Sequence, residues 1–188
     1  TQSHGSWQVI EGPFPAGVSN ADAPGQSLLV QGVDLWSPPV AQLKEAFNFL
    51  PSWRIDDIMV SCASEDGGVG PHFDYYDVFL IQGEGKRRWE LGGFCDEHTA
   101  LIEGAPLKLL SDFKPIDEYI LEPGDVLYVP PGIAHNGTAI GHSITLSVGF
   151  RSPTRAELFD DLATDLLFES ANHPVSYTHL RAHETVSD

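Results

Sequence analysis

Gly70-Pro-His-Phe-Asp-Tyr-Tyr-Asp-Val-Phe-Leu-Ile-Gln-Gly-Glu-Gly-Lys-Arg-Arg-Trp-Glu-Leu91 is the stretch on which the fold turns. From Arg54 the apolar residues recur at every second position, the period of a half-buried strand. Within the quoted run this period predicts strands over Tyr76–Gln82 and Lys86–Leu91. They join as a hairpin around Gly83-Glu-Gly85, where glycine supplies positive φ. Ahead of them stand His72 and Asp74. Residues two apart on a strand share a face, so an imidazole and a carboxylate project side by side. Alone the pair is weak, because with 8 histidines in 188 residues composition nearly supplies one by chance.

A third candidate ligand strengthens it. In Glu122-Pro-Gly-Asp-Val-Leu-Tyr-Val-Pro-Pro-Gly-Ile-Ala-His135, Gly124-Asp125 makes a turn and Val126–Val129 a short strand. Pro130-Pro131-Gly132 is then a rigid turn that delivers His135. His72, Asp74 and His135 together form a facial triad, which leaves three metal positions open. A bidentate 2-oxo acid and O₂ fill three, so the set suits Fe(II) better than four-coordinate zinc.

Alternation along Lys86–Leu91 puts Arg87, Trp89 and Leu91 on the apolar face, so Arg87 points inward. A buried guanidinium needs an anion, and its fork suits a carboxylate. Either it anchors the distal carboxylate of 2-oxoglutarate, or it forms a structural ion pair with a core acid such as Asp77. Thr145 and Ser147, on the polar side of Ile144–Phe150, either contact the co-substrate or fill a narrow barrel. Tyr75, Tyr76 and Asp77 sit at the mouth. Tyr75 and Asp77 are the candidate substrate contacts, and a fold-stabilising hydrogen bond is the competing role for Asp77. Asp56 and Asp57 carry the same ambiguity.

Outward from this centre, Pro and Gly punctuate short apolar segments, the rhythm of an all-β sandwich or barrel with few helices. Strands are expected at Trp7–Ile10, Ser27–Gly32, Arg54–Cys62 and Tyr119–Leu121. Val40, Leu43, Phe47 and Leu50 share one face of a helix over Pro39–Leu50, which Pro51 stops. Glu65–Gly70 reads as a flexible glycine-rich loop. Ser152-Pro153 caps a helix through about Glu169, with Leu158, Phe159, Leu162, Leu166 and Leu167 on its buried side. The organisation expected is an oxygenase core over 1–151, truncated at its N-terminus, a helix over 152–170, and a disordered or foreign tail over 171–188. His179 and His183 are four apart, but that tail lacks helical periodicity, so they are rejected as ligands. His4, His98, His142 and His173 have no partner at useful spacing.

The net charge of −17 disfavours direct contact with nucleic acid and suits either a basic protein substrate or plain solubility. No apolar run reaches the roughly 20 residues of a membrane span, so no membrane partner is expected. Cys62 and Cys95 lack metal-ligand spacing and read as reduced thiols of a cytoplasmic protein, with a structural disulfide as the alternative. The chain opens Thr-Gln-Ser-His without an initiator Met, as if beginning inside a longer protein.

The motifs Gly70–Trp89, Glu122–Gly132 and Ser147-Val-Gly-Phe-Arg-Ser-Pro153 closely resemble those of the bacterial JmjC-type ribosomal oxygenases. Trp7-Gln-Val, Gly12-Pro-Phe14 and Trp53-Arg-Ile-Asp-Asp57 fit the same pattern, so the resemblance spans about Trp7 to Glu169. It implies a mainly β double-stranded β-helix (jelly-roll, cupin, JmjC-like) with flanking helices. It also implies His72, Asp74 and His135 as Fe(II) ligands, Arg87 as anchor of 2-oxoglutarate, and C3 hydroxylation of an arginine in a large-subunit ribosomal protein. The family's helical dimerisation region implies a homodimer for the full-length protein. Histidine hydroxylation, lysine demethylation and a non-catalytic cupin-like module are the alternatives.

Overall fold

The computed structural model describes residues 2–3, 6–13, 23–151 and 154–172. The tail from residue 173 lies outside them, as do His4, Phe14, Ser152 and Pro153. Along the chain run β1 (Gln2–Ser3), β2 (Ser6–Trp7), β3 (Ser27–Val30), α1 (Pro38–Gln42), β4 (Ile55–Ala63), β5 (Asp77–Phe94), β6 (Asp117–Leu121), β7 (Val126–Val129), β8 (Ile133–Phe150) and α2 (Arg155–Asn172). β1 and β2 pair with each other, so the strand expected over Trp7–Ile10 ends at Trp7. The remaining strands form one antiparallel sheet in the order β3-β4-β8-β5-β6, with β7 also on β5. The chain divides between Arg151 and Ser152 into this β unit and a second unit carrying α2.

The expected hairpin around Gly83-Glu-Gly85 is not formed. β5 passes straight through it and pairs with β8 throughout, from Asp77 opposite Phe150 to Phe94 opposite Ile133. The register shifts between Gln82 and Glu84 and again between Glu84 and Lys86. Gly85 has the positive φ expected (+63°) but uses it to bend one strand, not to reverse it. A Cβ there would lie 1.9 Å from the His142 carbonyl oxygen. Gly141 (φ +69°) lies in the matching gap of β8. Buried Gln82 pins the corner: its Nε2 donates to Glu84 O (2.7 Å) and Ser143 Oγ (3.0 Å), and its Oε1 accepts from Thr145 Oγ1 (3.0 Å).

The bend lets each long strand serve both halves of the folded-over sheet. The first half of β5 has β7 on its far edge and the second half has β6, while the second half of β8 has β4. That is the closure of a jelly roll, or double-stranded β-helix. Val78, Leu80, Trp89, Leu121 and Val129 form its inner core. On the outer face Phe47 packs with Ile58, Val148 and Phe150, joined by Val40, Leu43 and Leu50. These are the four apolar residues expected on one face, but only Pro38–Gln42 is α-helical, and Leu43–Phe47 tightens to a 3₁₀ helix. In 3₁₀ geometry residues three apart eclipse, so the apolar face survives the change.

The cap expected at Ser152-Pro153 lies outside the described residues, and in the second unit Thr154 caps α2. Its Oγ1 accepts from Glu157 N (3.2 Å), and its own N donates to Glu157 Oε2 (2.7 Å), a reciprocal capping box. Leu158, Phe159, Leu162, Leu166 and Leu167 were expected to be buried, yet all are exposed. Within its unit α2 is the sole described element. No described helix is long and apolar enough to cross a membrane.

Candidate metal centre

Backbone pairing brings the three candidate ligands together. His72 N donates to His135 O (3.0 Å) and His135 N to His72 O (2.8 Å), while Gly132 N donates to Asp74 O (2.7 Å). Directly opposed residues on antiparallel backbone share a face, so His135 joins the pair that the His-x-Asp spacing sets side by side. The ligand atoms of the three lie within 4.8 Å of one another, with Asp74 Oδ2 3.6 Å from His135 Nε2. The turn before His135 requires glycine. Gly132 has φ +78°, and a Cβ would sit 2.5 Å from the Phe94 ring.

Each imidazole is oriented by a carbonyl: His72 Nδ1 meets Gly70 O at 2.8 Å and His135 Nδ1 meets Ile133 O at 2.9 Å. A carbonyl can only accept, so both Nδ1 atoms carry the proton and both Nε2 atoms present a lone pair. Burial, and then the neighbouring His72, pull the pKa of His135 down to about 4, against the opposing pull of Ile133 O and Asp74. His135 is therefore neutral at pH 7, the form that binds metal. Its folded pKa lies below the ordinary 6.5, so the unfolded chain binds more protons between those values and stability falls as pH falls. The metal-free protein should lose up to about 3 kcal/mol between pH 6.5 and 4. Urea melts across that range should show the slope, and His135→Asn should flatten it.

The glycine-rich loop is not free. Asp66 N donates to Ala139 O (3.1 Å) and Ala139 N to Gly67 O (2.9 Å), so the segment before His72 is strapped along the edge of β8. A Cβ on Gly68 would lie 2.3 Å from Gly137 O, and one on Gly67 2.2 Å from Gln26 O. The glycines allow backbone to lie on backbone. Gly68→Ala should lift the strap, destabilise the fold by about 1–3 kcal/mol and weaken metal binding, read by thermal melts with and without metal.

Arg87 is 4% exposed, inward as alternation requires. Its Nη1 donates to Ser61 Oγ (2.9 Å), while its buried Nε and Nη2 have no partner among the described residues. Burial pulls its pKa down to about 10, with Cys62 acting weakly the other way. The alternative pairing with Asp77 is not made, because Asp77 accepts from Tyr128 Oη (2.6 Å) and faces Arg54 (3.6 Å). The Arg87 guanidinium carbon lies 5.9 Å from the centre of the Trp89 ring, which is 6.1 Å from that of His135. Trp89 Nε1 is also buried without a partner among the described residues. Two orphaned guanidinium donors and an indole donor, beside a His-His-Asp set, fit a metal-chelating dicarboxylate.

Thr145 is fully buried and its hydroxyl is committed to Gln82. Ser147 is partly buried, in register with Met59 and Leu80. Tyr75 is 67% exposed, meets Phe73 edge-on at 5.2 Å, and lines a cavity of about 450 Å³ with His72 and Asp74. Asp77 does not line it, but Asp96, Glu97, Leu107 and Leu109 do. Asp56 and Asp57 take structural roles, with Arg151 (3.0 Å) and Gly32 N (2.9 Å).

Residue spacing gives no hint of Ser61 as partner of Arg87, of Asp96 and Glu97 at the cavity, or of Tyr76 as partner of Asp74. Burial, then the charge and hydrogen bond of Asp74, push the Tyr76 phenol up to about 12.

The JmjC domain family matches residues 42–158. A ribosomal protein uL16 3-hydroxylase from Escherichia coli K12 is 45% identical over 166 residues, covering 87% of this chain and 43% of the relative. A probable ribosomal oxygenase from Haemophilus influenzae is 40% identical over 165 residues, covering 87% and 41%. The solved structure of the E. coli ribosomal oxygenase YcfD in complex with cobalt and 2-oxoglutarate superposes with a TM-score of 0.74 at 40% identity, covering all of this chain and 49% of that one. The chain thus spans less than half the length of these relatives. With its jelly roll and clustered His-Asp-His set, the chain belongs to the JmjC domain family and is similar to these bacterial ribosomal oxygenases.

Proposed function

We propose that the chain is the oxygenase core of an Fe(II)- and 2-oxoglutarate-dependent hydroxylase acting at C3 of an arginine in a large-subunit ribosomal protein. The observation that carries this is the pair of unpartnered, buried donors on Arg87 inside the barrel that holds the triad. His72, Asp74 and His135 would hold the metal through two Nε2 atoms and a carboxylate. Arg87, with Ser61 behind it, would hold the distal carboxylate, and Ser147 would line the same interior row. Thr145 acts on that row through Gln82. The bound metal, 2-oxoglutarate and O₂ supply the oxidising power.

The remaining work is positioning. Exposed Tyr75 offers a flat ring to a guanidinium beside the triad. Asp77, occupied by Tyr128 and Arg54, acts by holding the rim and not by direct contact. The net charge of −17 favours encounter with a basic ribosomal protein over nucleic acid. A cytoplasmic setting agrees with that substrate and with the two free thiols.

The test is turnover of a uL16 substrate by this chain with Fe(II), 2-oxoglutarate and O₂. Succinate release with a gain of about 16 Da on one arginine is the expected result. The same gain on histidine would move the assignment to histidine hydroxylation, and a loss of about 14 Da to demethylation. Metal loading without succinate release would sink the substrate assignment.

A further inference from the structure

We propose that Cys62, His142 and Glu84 form an activated thiol that exchanges with small cationic disulfides. Cys62 Sγ lies 3.3 Å from His142 Nε2, and His142 Nδ1 lies 3.9 Å from Glu84 Oε1. The three come from adjacent strands, β4, β8 and β5. Cys62 and Glu84 both stand opposite Ile144, and His142 is two residues from it, so all three side chains project from one face. That face is the outer one, since Ser61 and Thr145 beside them point inward. Sulfur, imidazole and carboxylate in series are the arrangement of an assisted nucleophile.

The step is thiol–disulfide exchange. His142 Nε2 accepts the thiol proton as Cys62 Sγ attacks one sulfur of the reagent. The reagent's S–S bond breaks and a new S–S bond to Cys62 forms. The departing thiolate takes the proton back from the imidazolium, so one thiol is released for each mixed disulfide. The reagent disulfide is itself the oxidant.

Local charge selects the reagent. Glu84 is 67% exposed on its side chain, and Glu65 Oε2 sits 2.7 Å from Gly141 N beside His142. Lys86, nearby on β5, is already paired with Glu122. A cationic disulfide is attracted here and an anionic one repelled. Cys95 is an internal comparison, a buried thiol whose sulfur contact is Gly93 O at 3.8 Å.

The whole chain, without metal, is treated with cystamine at pH 7, and with dithiodipropionate as the anionic counterpart. Intact mass and peptide mapping read the rates at the two cysteines. Cys62 should react first, faster with cystamine than with dithiodipropionate. His142→Ala should slow the cystamine reaction by about ten-fold or more, and free imidazole should restore part of the loss. Glu84→Gln should narrow the gap between the two reagents. His142 and Glu84 are both exposed, so these variants keep the fold, and thermal melts verify it. An unchanged rate in His142→Ala, equal rates for the two reagents, or a Cys62 no faster than Cys95 would each overturn the proposal. None of these readouts depends on oxygenase activity.

Discussion

Asp74→Ala should abolish oxygenase turnover and cut metal affinity by more than about 100-fold, the upper end of what disturbing an outer-shell partner alone costs. The size follows from the geometry. Asp74 is the only carboxylate of the clustered set, and burial keeps His135 neutral at pH 7. Removing Asp74 leaves the metal two imidazoles and no anionic ligand. The backbone should not suffer, because Asp74 is held in place by its carbonyl, which accepts from Gly132 N. Tyr76, whose phenol bonds the carboxylate, loses only a hydrogen-bond partner. Calorimetric titration with Fe(II) or Co(II), alongside succinate release, reads both effects on a protein whose melting temperature should barely change. Retained turnover would remove the triad from the mechanism.

The period-two pattern from Arg54 onward shows the strands and correctly turns Arg87 inward. It does not show how the strands connect. Gly83-Glu-Gly85 satisfies the sequence rule for a hairpin, and the same positive φ serves equally well to bend one strand within its sheet. Only the partner strand decides, and β8 begins some fifty residues downstream. The same limit applies to Glu65–Gly70. Its glycines suggest freedom, whereas they let the loop lie against β8, a contact no local window contains. His72, Asp74 and His135 were legible because two share a strand period and the third follows a rigid turn. Ser61, Asp96 and Glu97 were not, because cross-strand and loop contacts have no fixed spacing. His142, without a partner in sequence, faces Cys62 for that reason.

Arg87→Met should stabilise the metal-free protein while removing its response to 2-oxoglutarate, two effects of opposite sign from one substitution. The pKa of the guanidinium is pulled from 12.5 to about 10 by burial. Its folded value is below its unfolded value, so at pH 7, where both states are charged, the fold carries a cost of about 3 kcal/mol, lifted only as pH rises from 10 toward 12.5. One hydrogen bond to Ser61 and a ring contact with Trp89 do not offset it, since Nε and Nη2 have no partner among the described residues. Methionine fills similar volume without charge, and such replacements of buried ions are often neutral or stabilising by about 1–4 kcal/mol. On the proposed reading, a bound dicarboxylate would supply the partners that the guanidinium lacks. Anaerobic 2-oxoglutarate with metal should therefore raise the melting temperature of the parent chain, with a shift that grows with ligand concentration. Arg87→Met should start higher and show little further shift, and its KM for 2-oxoglutarate should rise by about 100-fold or more, the cost of about 3 kcal/mol. Arg87→Lys should fall between the two, because an ammonium keeps the charge but lacks the fork. A variant that melts lower than the parent yet binds 2-oxoglutarate normally would make Arg87 a structural residue and move the co-substrate elsewhere in the barrel.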